Sequence, residues 1–134
     1  MTGIDASAAM IALARRRRPD GDWRVADMRT LDLEERFDGV LAWDSFFHLT
    51  AEEQRVVLPR LAGRLRPGGR LMATVGPKAG EVIGHVGGER VYHASLSRAE
   101  YTTILDRAGL ALAAFVAEDP DCDHHTVLLA RRTA

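Results

Sequence analysis

Asp44, Ser45 and His48 place a carboxylate, a hydroxyl and an imidazole within five residues. A carboxylate holds cations or accepts paired hydrogen bonds. An imidazole titrates near neutrality and serves as a general base or a substrate ligand. These groups follow directly on an apolar run, Phe37–Trp43, which sits behind the acidic segment Leu33–Arg36. A continuous apolar run predicts a strand buried on both faces, as parallel sheets require. The carboxyl ends of such strands are where open α/β sheets bind ligands. The plainer account of His48 is a helix-entry histidine bonded to backbone. Tyr92 and His93, after a glycine-rich stretch, are candidates to line a pocket, or are simply strand residues. Asp121, Cys122, Asp123, His124 and His125 have the chemistry of metal ligands. However, adjacent strand residues point to opposite faces, and a tight turn accounts for the aspartates. The reading is that no metal is held.

The elements that position these groups are visible in the pattern. Met1–Asp5 reads as the end of a strand. Ser7 is a good N-cap, and Ala8–Arg18 is rich in helix formers, with Met10, Leu13 and Ala14 on one face. Arg15–Arg18 suit the last turn of a helix. Trp23–Ala26 alternates as a short strand, with Asp27 and Met28 at its carboxyl end. Thr50 and Glu53 form a capping box ahead of a helix whose stripe is Val57, Leu58, Leu61, Ala62 and Leu65. Pro67, Gly68 and Gly69 stop that helix, and Arg70–Val75 is the next strand. Gly76–Arg90 has five glycines and no clear period, and so reads as a mobile loop with at most one short helix. Val91–Leu96 is extended. Ser97 and Glu100 repeat the capping box before a helix carrying Tyr101, Ile104, Leu105 and Ala108. Leu110–Ala117 and His124–Arg131 form an antiparallel pair around Glu118–Asp123. The order β-α-β-β-α-β-α-β-β predicts an α/β fold: a mostly parallel sheet covered by helices, with an antiparallel C-terminal hairpin. Residues 1–134 are expected to form a single domain.

Composition narrows the function classes. The chain has 134 residues, 46% apolar and 28% charged, with a formal net charge of -1. Such a profile is globular, and it offers no overall field for nucleic acid or a membrane surface. No apolar run approaches the ~20 residues of a membrane helix. One cysteine, Cys122, precludes an internal disulfide and suits a reducing cytoplasm.

Four segments together resemble a known family. Thr2–Met10 (TGIDASAAM), Ala26-Asp27-Met28, Phe37–Trp43 (FDGVLAW) and Leu65–Leu71 (LRPGGRL) are similar, in order and spacing, to successive signatures of class I S-adenosylmethionine-dependent methyltransferases. The likeness is specific over the first 75 residues and holds in outline beyond them. It implies a Rossmann-like fold, S-adenosylmethionine as cofactor and methyl transfer to a small-molecule acceptor. A strand, glycine-rich loop and helix, together on the order of 30 residues, stand ahead of this point in the family. The expectation is therefore an N-terminally truncated frame or fragment, with an open sheet edge through which a second copy of the chain can pair.

The resemblance also implies roles. Asp5, followed by Ala6, is the acid for the ribose hydroxyls, because one carboxylate accepts two hydrogen bonds. Its alternative is a helix-start carboxylate satisfied by local amides. Asp27 accepts from the adenine amino group and the Met28 amide donates to a ring nitrogen; the alternative is a loop-capping aspartate. Met10 flanks the adenine or belongs to the core. Trp43 and Asp44 stand beside the methionine moiety, His48 is the catalytic base, and Tyr92 and His93 contact the acceptor. Two other classes compete: a catalytically inactive fragment acting as a binding or dimerising module, and a nicotinamide-dependent oxidoreductase that also places an acid on a ribose.

Overall fold

A computed structural model describes residues 1–133 of the chain. It comprises two compact units, Met1–Leu33 and Glu34–Ala134. The first is a strand-helix-strand unit. β1 (Thr2–Asp5) pairs in parallel with β2 (Asp22–Val25), in the register Thr2 to Asp22 and Asp5 to Val25. Between them runs α1 (Ala8–Arg17), opened by Ser7, whose Oγ accepts the Met10 N–H at 3.3 Å. The buried residue of α1 is Ile11, whereas Met10 is 53% exposed. The face expected to be apolar is therefore rotated, and Met10 is not core. Trp23 lies against Gly3 and Gly21, where a Cβ would collide with the indole ring. Its Nε1–H donates to the Arg18 carbonyl at 2.7 Å, and Arg15 donates to the Trp23 carbonyl at 2.8 Å. The helix end is thereby tied to the second strand.

The second unit is built on a four-stranded sheet in the order β3-β4-β8-β7. β3 (Phe37–Ala42) is parallel to β4 (Leu65–Val75), and α2 (Ala51–Ala62) connects them. β8 (His125–Arg132) runs antiparallel to β4 and to β7 (Leu110–Asp119), which confirms the terminal hairpin. The sheet is therefore mixed, with one parallel and two antiparallel pairings. Leu71, Ala73 and Val75 are buried as the alternation predicts, and so are Val57, Leu58, Leu61, Leu105 and Leu128. Thr50 forms the full capping box with Glu53. At Ser97 only half the box forms: Ser97 Oγ accepts the Glu100 N–H at 3.1 Å, while the Glu100 carboxylate turns to Arg55 on α2. α3 (Arg98–Arg107) buries Tyr101 and Leu105.

Three further sequence expectations are corrected. β3 is not buried on both faces: it pairs with β4 alone among the described residues, and Leu41 is 67% exposed. An apolar run reports hydrophobicity, not how many neighbours a strand has. Pro67-Gly68-Gly69 lies inside β4, which begins at Leu65; its partner register jumps between Phe37 and Gly39, and this bulge absorbs the extra residues. The glycine-rich segment is no loop but a hairpin, β5 (Gly80–Val86) antiparallel to β6 (Glu89–Ser95). Gly87 and Gly88, at φ 57° and 83°, form its two-residue turn.

Candidate active site

The strongest constellation stands at the carboxyl ends of β3 and β4. Asp44 has φ 51°, a left-handed conformation that aspartate tolerates better than most residues. Its N–H donates to Thr74 Oγ1 at 2.9 Å, and Thr74 is buried. The Asp44 carboxylate meets His125 Nε2 at 2.6 Å, and His125 Nδ1 meets the Cys122 carbonyl at 2.8 Å. Both partners are pure acceptors, so the ring satisfies both only as an imidazolium. The Cys122 carbonyl and the Asp44 carboxylate accordingly raise its pKa above the ordinary histidine value. Trp43 covers this ring at 5.2 Å between centroids. His125 was dismissed on sequence as a metal ligand and missed as a partner of Asp44. The available signal was the pairing of β4 with β8, which sets Val75 opposite Thr126, and that pairing links strands distant in sequence.

A second cluster joins three aromatic rings. His48 ends a short 3-10 turn, Phe46–His48, and its Nδ1 meets the Tyr92 carbonyl at 3.1 Å. A carbonyl cannot donate, so Nδ1 bears the proton and Nε2 of the neutral ring is left basic. His93 lies 5.0 Å from His48 and 4.7 Å from Phe47, ring centre to ring centre. Burial and the neighbouring His48 lower the His93 pKa. Burial and the Glu81 carboxylate raise that of Tyr92. A cavity of about 510 Å³ opens beside this cluster, lined by Phe47, Ser95 and His93, by His125, and by Glu81 and Glu118 among others. The sequence-predicted residues Trp43, Asp44, His48, Tyr92 and His93 therefore gather in one region of the second unit.

The first unit carries the others. Asp5 ends β1 exposed, with Oδ1 accepting the Ser7 N–H at 2.7 Å. One oxygen is thus engaged locally, and the remaining lone pairs suit a diol. Ala6, next in the chain, and Met10 on α1 are exposed. Asp27 caps the 3-10 turn Met28–Thr30 and grips the Arg29 guanidinium, with its closest contact at 2.6 Å. That pair holds its carboxyl below the usual range, Arg29 being the cause. The Met28 amide stands at the first position of the turn, where no carbonyl within the turn reaches it. A carboxylate with spare lone pairs at one strand end, and a presented amide at the next, fit the hydroxyls and ring nitrogens of an adenosine.

Comparison with known proteins gives the family. A family model described as "Methyltransferase domain" matches residues 1–69, and the chain belongs to that family. A dTDP-3-amino-3,6-dideoxy-alpha-D-glucopyranose N,N-dimethyltransferase of Streptomyces fradiae is 39% identical over 69 residues, which are 50% of this chain and 27% of that enzyme. The chain therefore matches about a quarter of the length of this curated relative. Among solved structures, CalS10 of Micromonospora echinaspora, an amino pentose methyltransferase with S-adenosylmethionine bound, superposes with a TM-score of 0.77 at 22% identity, covering 98% of this chain and 73% of that one. The 1,6-didemethyltoxoflavin-N1-methyltransferase of Burkholderia thailandensis gives 0.69 at 24% identity, covering 99% of this chain and 61% of that one. The fold is the Rossmann-like α/β fold shared with solved S-adenosylmethionine-dependent methyltransferases. No helix among the described residues is long and apolar enough to cross a membrane.

Proposed function

We propose that this chain carries methyl transfer to a nitrogen of a small, polar acceptor, an amino sugar being the class that its relatives' names favour. The observation that carries the reading is His48: its Nδ1 is committed to the Tyr92 carbonyl, and its Nε2 is the basic nitrogen. An amine at neutral pH is protonated and has no free lone pair until a base takes the proton. Bound S-adenosylmethionine supplies an electrophilic methyl group on sulfur. His48 accepts the acceptor's proton at Nε2, and His93, held neutral, stands against it without competing charge. The cavity orients the acceptor, with His93 in its wall and Tyr92 the preceding residue of β6, and orientation is the larger share of the rate in such a displacement. Carboxylates on Glu81 and Glu118 give the cavity partners for hydroxyls or an ammonium. Within the first unit, the family resemblance assigns the ribose to Asp5 with Ala6 and the adenine edge to Asp27 and Met28, with Met10 on its face; Trp43 and Asp44 are its candidates for the methionine end.

The test has two arms. Calorimetry with S-adenosylhomocysteine and with NAD separates a methyltransferase from a nicotinamide enzyme, and Asp5→Ala should weaken the former by about 1–3 kcal/mol, as a charge-assisted pair requires. Transfer of labelled methyl to a dTDP-linked 3-amino sugar should then fall in His48→Ala while S-adenosylhomocysteine affinity holds, whereas Asp44→Ala should harm both. Binding of NAD without S-adenosylhomocysteine, or normal turnover in His48→Ala, contradicts the reading.

A further inference from the structure

The two histidines come from distant segments, and one side chain fastens those segments together. Gln54 is fully buried on α2. Its Nε2 donates to the Leu49 carbonyl at 3.0 Å and to the Ala94 carbonyl at 2.8 Å. Leu49 directly follows His48, and Ala94 directly follows His93. The Gln54 Oε1 accepts from the Tyr101 hydroxyl at 2.6 Å, and that hydroxyl accepts the Leu96 N–H at 3.1 Å. Every hydrogen-bonding group of the Gln54 amide is thus spoken for, and its orientation is fixed because both carbonyls are acceptors. Ser95, next in the chain, receives the Gly76 N–H at 3.1 Å and lies 3.2 Å from the Tyr101 hydroxyl. The network therefore also closes the neck of the β5–β6 hairpin, where the chain leaves and rejoins the body of the unit.

We propose that Gln54, oriented by Tyr101, is a positioning residue that sets the spacing of His48 and His93, and through it the basicity of the pair. The proposal rests on the reading of His48 as the proton acceptor, yet it concerns geometry present without cofactor or acceptor. A buried amide bridging two carbonyls is a stiff link: breaking it leaves polar atoms unpaired in the core. At 5.0 Å between ring centres, a charge on His48 disfavours one on His93, and this coupling falls as the rings separate. An aliphatic residue at position 54 would fill the same space and leave both segments untied.

Ring carbon–proton NMR of the whole chain between about pH 5 and 8, the range in which histidines titrate, reads this directly. In the unmodified protein the Gln54 side-chain amide resonances should move with the midpoints of His48 and His93; traces flat across both midpoints overturn the proposal, and this arm needs no variant. Tyr101→Phe keeps the ring beside Phe46 and removes only the hydroxyl. It should raise the His93 midpoint by about 0.5 pH unit, as a more distant neighbouring charge requires. Gln54→Met should do the same or more. Midpoints unchanged in a folded Tyr101→Phe protein assign the network to stability alone and overturn the proposal. A normal titration response in an enzyme whose His48→Ala variant turns over normally would uphold the clamp and refute the catalytic reading, so the two failures are distinguishable.

Discussion

Asp44 and His125 give the sharpest quantitative expectation. The perturbations are Asp44→Asn, His125→Gln and both together. Asparagine tolerates the left-handed backbone at position 44, so Asp44→Asn removes charge without adding strain. A hydrogen bond to a charged group is worth about 1.5–3 kcal/mol and an exposed ion pair about 0–1. Here the Asp44 side chain is 53% exposed and that of His125 22%, which places the coupling between these cases, at about 1 kcal/mol. The sign of its pH dependence follows from the raised His125 pKa. The imidazolium binds its proton more tightly folded than unfolded, so this stability is whole below the ordinary histidine pKa and drains as pH rises through the higher folded value. Above that point one ring nitrogen lacks a proton, and only one of its two bonds survives. Urea unfolding followed by tryptophan emission, with Trp43 against His125, supplies the assay. The double-mutant coupling should be about 1 kcal/mol at pH 6 and less than half that at pH 10. A coupling near zero at pH 6, or one unchanged at pH 10, refutes the imidazolium assignment.

Other expectations are briefer. Gly76→Ala places a Cβ 2.6 Å from the Ser95 Cβ at the hairpin neck and should cost about 1–3 kcal/mol, measured by the same urea titration. Arg55→Ala severs its ion pairs with Glu52 on the same helix and with Glu100 on α3, the latter at 2.6 Å; it should lower Tm at low salt, with the difference shrinking as salt screens the pair in unmodified protein. Stability should also fall on acidification as the pH drops through the lowered His93 pKa, because the folded protein resists that proton more than the unfolded chain does. His93→Gln should remove this part of the acid limb in a thermal scan.

Local physics made much of the fold legible. Helix starts at Ser7, Thr50 and Ser97 were readable because a capping side chain acts within three residues. The β7–β8 hairpin was readable because adjacent strands with a short link pair antiparallel. The β5–β6 hairpin was not: its glycines serve as turn and twist points, and glycine content alone reads as disorder. The exposure of β3 was missed because apolar content says nothing about which strands flank it. Within the site, Asp44 and His48 stood out because a polar group follows an apolar strand. His125 did not, since its role depends on a partner 81 residues away in the chain, reached only through the β4–β8 register.

The hairpin that sequence concealed also accounts for how the site is assembled. β4 ends at Val75, and the chain must return to begin α3 at Arg98. A flexible connection would satisfy that requirement and deliver nothing. A paired hairpin instead fixes residue 93 by register, with Val82 opposite His93 and Glu81 opposite Ala94. Its return strand then passes along the 3-10 turn that bears His48, so that the Tyr92 carbonyl meets the His48 ring while the Ala94 carbonyl meets Gln54. Alternation along β6 sends carbonyls two residues apart in the same direction, which is why one strand serves both the imidazole and its clamp. A shift of one residue in the β5–β6 register would turn those carbonyls away and separate the histidines. The spacing of His48 and His93 is therefore encoded in the turn at Gly87-Gly88, whose positive φ angles admit a two-residue link and so one register.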